Sequence, residues 1–152
     1  MQEKFRQAGE NLEALNDWLN KVEKEIARQE VLSEDVESLK TQISAMKLIK
    51  TDVDDHNRPV NNTLDIIAEL VETGADVLSS SELNQLQSEG KQLKERYEHV
   101  QGRLQMMKYR MHIKHVSFLR WNDLCLLLQH LRNTFLLYNP FVISYKPHFF
   151  LR

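Results

Sequence analysis

Three times in its first 112 residues, the chain spaces its apolar residues in steps of three and four. An α-helix completes a turn in 3.6 residues, so this spacing gathers the apolar side chains into one stripe along a helix. The first run is Phe5, Ala8, Leu12, Leu15, Leu19, Val22 and Ile26, with Trp18 beside it, and it fades at Arg28-Gln29-Glu30. The second follows Ser33, read as an N-cap with Glu34 and Asp35 in the first turn. Its members are Val36, Leu39, Ile43, Met46, Val53, His56, Val60, Leu64, Ile67 and Val71. Lys50 interrupts it, with Ile49 as the neighbour that substitutes by a small rotation. It stops at Thr73-Gly74, where Gly74 takes the place of a C′ glycine. The third run follows Ser79 and Glu82, whose spacing is that of a capping box. It reads Leu83, Leu86, Gly90, Leu93, Tyr97, Val100, Leu104, Met107 and Met111.

The pattern predicts helices over about 4–29, 33–73 and 81–112. Pro59 falls inside the second, where a proline kinks a helix at a cost of roughly 3 kcal/mol. The spacing resumes in phase after it, so one long kinked helix is expected. Only four glycines and three prolines in 152 residues suit such a helix-rich chain. No helix can bury its stripe alone, and the short connections require neighbours to run antiparallel. The expected fold is therefore all-α: an antiparallel three-helix, left-handed coiled-coil bundle. Its predicted core is Phe5, Leu12, Leu15, Trp18, Leu19, Val22 and Ile26 from the first helix. Leu39, Ile43, His56 and Leu64 come from the second, and Leu86, Leu93, Tyr97, Val100 and Leu104 from the third.

Three segments carry a resemblance. Leu15-Asn16-Asp17-Trp18-Leu19 is similar to the first-helix signature of the spectrin repeat. Asp55-His56-Asn57-Arg58-Pro59-Val60 resembles its second-helix segment with a His and a Pro. Leu93-Lys94-Glu95-Arg96-Tyr97 resembles its third-helix segment, with Tyr97 where Trp is more usual. The match covers roughly residues 4–111, and the pattern looks most like spectraplakin repeats, with dystrophin, utrophin and nesprin repeats as the alternatives. The resemblance implies a non-enzymatic spacer in a cytoplasmic, cytoskeletal linker that bridges actin, microtubules or intermediate filaments. Its implied partners are neighbouring repeats and, indirectly, those filaments.

Residues 113–152 break the pattern. They carry five cations against the single acid Asp123, a net +4, which leaves −6 on residues 1–112. Such an asymmetry reads as two things joined. Three readings of this atypical apolar tail stand: a transmembrane helix, an added helix on the bundle, or a poorly ordered, unselected end. Arg120, Asp123, His130 and Arg132 interrupt every membrane-length window, which disfavours the first. The abrupt shift in composition and the exposed apolar content favour the last. Residues after Asn139-Pro140 read as extended and aromatic-rich. The remaining readings of the whole are a protein-binding module that uses an exposed helix face or the Leu-rich tail, and a membrane-associated fragment held by that tail.

Reactive chemistry is not expected. The four glycines are scattered, so nothing cradles a phosphate. Asp52-Val53-Asp54-Asp55 opens like a calcium loop but lacks the glycine and the final acid. His112 and His115 have no evident third ligand for zinc. Cys125, the single cysteine, lies among apolar neighbours that would make it inert. The Leu-x-x-Leu-Leu spacing from Leu124 to Leu128 is expected by chance in so Leu-rich a stretch. The sequon Asn61-Asn62-Thr63 sits in a predicted helix. No basic patch with interleaved aromatics occurs in residues 1–112, so nucleic acid is not an expected partner. Met1-Gln2-Glu3-Lys4 leads into a polar run, unlike a signal peptide. No cofactor is implied.

Overall fold

Apolar stripes on several helices can be covered only by one another, and the first 112 residues do this. The computed structural model describes residues 1–138 and divides the chain into two units, Met1–His112 and Ile113–Arg152. Helix α1 is Gln2–Arg28, α2 is Val36–Asp55, α3 is Asn57–Thr73 and α4 is Ser80–Tyr138, with a 3-10 turn at Gly74–Asp76. In the first unit, α2 and α3 together form the second member of a three-helix bundle. The first-unit part of α4 forms the third.

The α1 stripe is buried throughout its length: Ala8, Leu12, Leu15, Leu19, Val22 and Ile26. Only Phe5, at its start, is half-buried. On α4, Leu86, Leu93, Tyr97, Val100 and Leu104 are buried, and Met107 and Met111 continue the series. On α2 the buried positions are Leu39, Met46 and Val53. Ile43 and Ile49 are half-buried, while Lys50 turns outward and pairs with Asp54.

The second run departs from its sequence reading in four ways. Its N-cap is Asp35 rather than Ser33, because the Asp35 carboxylate accepts from the Ser38 amide at 2.8 Å. Ser33 instead sits in the preceding turn, its amide donating to Gln42 Oε1 at 2.8 Å. Gln42 Nε2 donates in turn to the Val31 carbonyl at 2.9 Å, so one side chain clamps the loop after α1. Second, the long helix is broken and not merely kinked: α2 ends at Asp55 and α3 begins at Asn57. Pro59 has no N–H to offer the Asp55 carbonyl four residues back, and its ring crowds that carbonyl. The ladder resumes at once, with Val60 N donating to His56 O at 3.0 Å.

Third, the α3 stripe runs through Val60, Thr63, Ile67 and Leu70. Leu64 and Val71, expected on it, are half-buried flanking residues. Thr63 is polar and so falls outside an apolar count. Its hydroxyl donates to the Pro59 carbonyl at 2.9 Å, and burial therefore leaves nothing unpaired. Fourth, Gly74 ends α3 with right-handed dihedrals, φ −85° and ψ −4°. Its need for glycine is space: a Cβ there would meet Leu78 Cδ1 at 3.2 Å and Leu83 Cδ2 at 3.4 Å. Gly90 meets the same kind of constraint on α4, where a Cβ would come within 3.1 Å of Ile67 Cδ1.

At the start of α4 the capping box forms as its spacing predicts. Ser79 Oγ accepts from the Glu82 amide at 3.2 Å, and Glu82 Oε2 accepts from the Ser79 amide at 2.8 Å.

In the second unit the backbone stays helical through Tyr138, where the sequence favours a poorly ordered end. The expected extended, aromatic-rich end after Asn139 lies outside the described residues. Trp121, Leu124, Leu126, Leu127, Leu128, Leu131 and Phe135 are exposed. Cys125 is exposed too, rather than enclosed by its apolar neighbours. Among the described residues no helix is long and apolar enough to cross a membrane.

Candidate functional site

The residues singled out in the three segments meet midway along the first unit. Trp18 on α1 lies flat against His56, the single residue between α2 and α3, with ring centroids 3.8 Å apart and planes 7° from parallel. The Trp18 Nε1–H donates to Asp52 Oδ2 at 2.8 Å. His56 Nδ1 lies 2.8 Å from the Asp52 carbonyl and 3.4 Å from its carboxylate. The ring thus lids the helix break while Asp52 holds both aromatics. Trp18 and His56, expected in the core, are half-buried, each with an apolar face covered and a polar edge in use.

From α4, Tyr97 reaches into the same place. Its ring lies 6.3 Å from that of Trp18, tilted by 42°. Its hydroxyl donates to the Val53 carbonyl at 2.8 Å in a buried hydrogen bond. Burial, and then the nearby Asp54 charge, push the Tyr97 hydroxyl pKa above the ordinary tyrosine value, opposed by a hydrogen bond with Gln101. A tyrosine in place of tryptophan here therefore adds a polar tie between α4 and α2.

Arg96, next to it, ties α4 to α1. Its Nε and Nη2 reach the two carboxylate oxygens of Glu23 at 3.2 and 2.9 Å. Nη1 donates to Asn16 Oδ1 at 2.9 Å and Nη2 to Asn20 Oδ1 at 2.8 Å. A planar guanidinium suits this grip because its donors form a fixed fork. The steps from Asn16 to Asn20 and on to Glu23 are four and three residues, so all three line one flank of α1. The heptad pattern alone puts Arg96 on the solvated face of its helix. The Asn16, Asn20, Glu23 spacing is the sequence signal that it has a fixed partner.

Two further ties lie toward the ends: Lys4 with Glu69, and Arg103 with Glu30. These are half-exposed pairs of the kind worth little individually.

This arrangement holds three helices in register. Its polar atoms are engaged with one another: Asp52 accepts from Trp18, and Asp54 is paired with Lys50. The carboxylates that resemble a calcium loop thus lie in and beside the last turn of α2 as structural acceptors. Among the described residues no group of three or more His, Cys, Asp or Glu side chains is placed to hold a metal ion. A shallow groove of about 220 Å³ lies between the start of α1 and the start of α4, lined by Phe5, Arg6, Gly9, Glu82, Leu86 and Glu89 among others.

Among known proteins, the family model for the spectrin repeat matches residues 3–112. No curated protein matches the chain.

Proposed function

The chain belongs to the spectrin-repeat family through residues 3–112, a family of structural, non-enzymatic modules that sit in tandem in cytoskeletal proteins, and from that premise we propose that it is a spacer of a spectraplakin-type linker. In this reading it sets distance and bears load between sites that engage actin, microtubules or intermediate filaments, working in the cytoplasm beside neighbouring repeats. The spectraplakin assignment is supported by Asp55-His56-Asn57-Arg58-Pro59-Val60 and by the Leu70-Val71-Glu72-Thr73-Gly74 ending.

The observation that carries the spacer reading is the junction of Trp18, His56, Asp52, Tyr97 and Arg96. It ties all three helices at mid-length rather than opening a cleft. A module tied this way resists sliding of one helix along another, which a load applied at its two ends would impose. The test is single-molecule stretching of the full chain with attachment points at residues 3 and 112. One cooperative unfolding event is expected, with Trp18→Ala lowering the unfolding force. Gradual extension without an event would overturn the load-bearing reading. In co-sedimentation with actin filaments or microtubules, the chain should stay in the supernatant, and pelleting with either would make it a filament-binding module instead.

A further inference from the structure

In the second unit, Trp121, Leu124, Leu128, Leu131 and Phe135 follow one another along α4 in steps of three, four, three and four. All five are exposed, by between 45% and 65%. That spacing is the knob pattern of a helix that packs lengthwise on another helix. The two flanks of the stripe carry Arg120 on one side and Arg132 on the other, both exposed. In a coiled coil these flanking positions choose the partner through charge. The single acid of this unit, Asp123, lies away from the stripe.

We propose that this stripe is a docking seam for an amphipathic helix whose own apolar stripe is flanked by Glu or Asp. The charge pattern selects that occupant over the two other candidates. A second copy would bring no acid to either flank, so both arginines would stay uncompensated in parallel and antiparallel pairings alike. A helix lying on an anionic membrane carries many Lys and Arg side chains over its polar face. Here the opposite face carries Asn122, Asp123, Gln129, His130 and Asn133 together with the exposed Leu119 and Leu126, with no Lys or Arg among them, and Arg120 and Arg132 border the apolar stripe. An acidic helix alone covers the apolar side chains and also neutralises their flanks.

The test uses the full chain and two synthetic peptides of about four heptads with the same leucine stripe, one flanked by Glu and one by Lys. Binding of the Glu peptide should shift Trp121 emission to the blue and weaken as salt is added. The Lys peptide should bind at least about tenfold more weakly. Reversing both charges, Arg120→Glu with Arg132→Glu, should swap the preference, because these exposed side chains can change without disturbing the fold. Leu128→Asp should abolish binding of both peptides. Equal affinity for the two peptides, or no binding of either, would overturn the proposal. So would a dimer of the chain that excludes the Glu peptide, or binding to phosphatidylserine vesicles that the Glu peptide does not displace.

Discussion

Tyr97 shows how much of the junction depends on one atom. Replacing it with Phe keeps the ring against Trp18 but removes the hydrogen bond to the Val53 carbonyl. Tyr97→Phe should therefore cost about 1 kcal/mol in chemical denaturation at neutral pH. It should also change the alkaline limb. The folded Tyr97 hydroxyl holds its proton above the ordinary value of 10.0, so above that pH the folded state binds more protons than the unfolded one. Stability that is fully present below about pH 10 is then lost as pH rises. Thermal melts across that range should fall more steeply for the natural chain than for Tyr97→Phe, and parallel curves would contradict the assignment. At this scale the sequence is legible wherever a residue obeys its type. Leu19, Ile26 and Leu93 are fully buried as their spacing predicts. Thr63 and Arg96 escape such a reading because each acts against type, the threonine by bonding inside its own helix and the arginine by bridging to another.

Helix ends and glycines decide the behaviour of the elements. Asp35 and Glu82 both hold pKa values below the ordinary carboxylate range: Asp35 through the Ser38 backbone amide and hydroxyl, Glu82 through the Ser79 hydroxyl and amide. The stability they add is present above that range and lost as pH falls through their lowered values. Ser79→Ala should weaken the start of α4 at neutral pH and flatten the acid limb of the melting curve. An acid limb unchanged by Ser79→Ala would count against the capping box as its source. Gly102 and Gly90 make a matched pair within α4. Nothing lies within 4 Å of a Cβ at Gly102, whereas one at Gly90 would press on Ile67. Gly102→Ala should stabilise by about 1 kcal/mol, the helix-propensity difference. Gly90→Ala should gain clearly less or lose, and equal gains would show that α3 does not approach α4 as described. The capping box is readable from its spacing, but the break at His56 is only half readable. Pro59 announces a disturbance, and whether a helix bends or parts there depends on what the flanking residue does, here His56 seated on Trp18.

For the whole molecule, the boundary near His112 is legible in the amino-acid sequence as a change of charge and apolar content. The helix itself does not end there, because a backbone ladder is indifferent to which side chains it displays. A fragment of residues 1–112 should melt in one cooperative step, at the same temperature as the full chain, by circular dichroism. An unfolded fragment would mean that the first unit needs the second.

The grip of Arg96 on Asn16, Asn20 and Glu23 also bears on how the protein comes into being. The first-made helix of this bundle is held by the last-made one. With elongation at about 5–20 residues per second, α1 waits on the order of 5–15 s for that partner. Throughout that interval Ala8 to Ile26 have only α2 and α3 to pack on, and the side that α4 covers must stay open or be sheltered by a chaperone. Nascent chains arrested before Gly90 should be cleaved by protease within α1, and chains arrested well past His112 should resist. The order of synthesis would then set the period in which this chain is most exposed to misassembly.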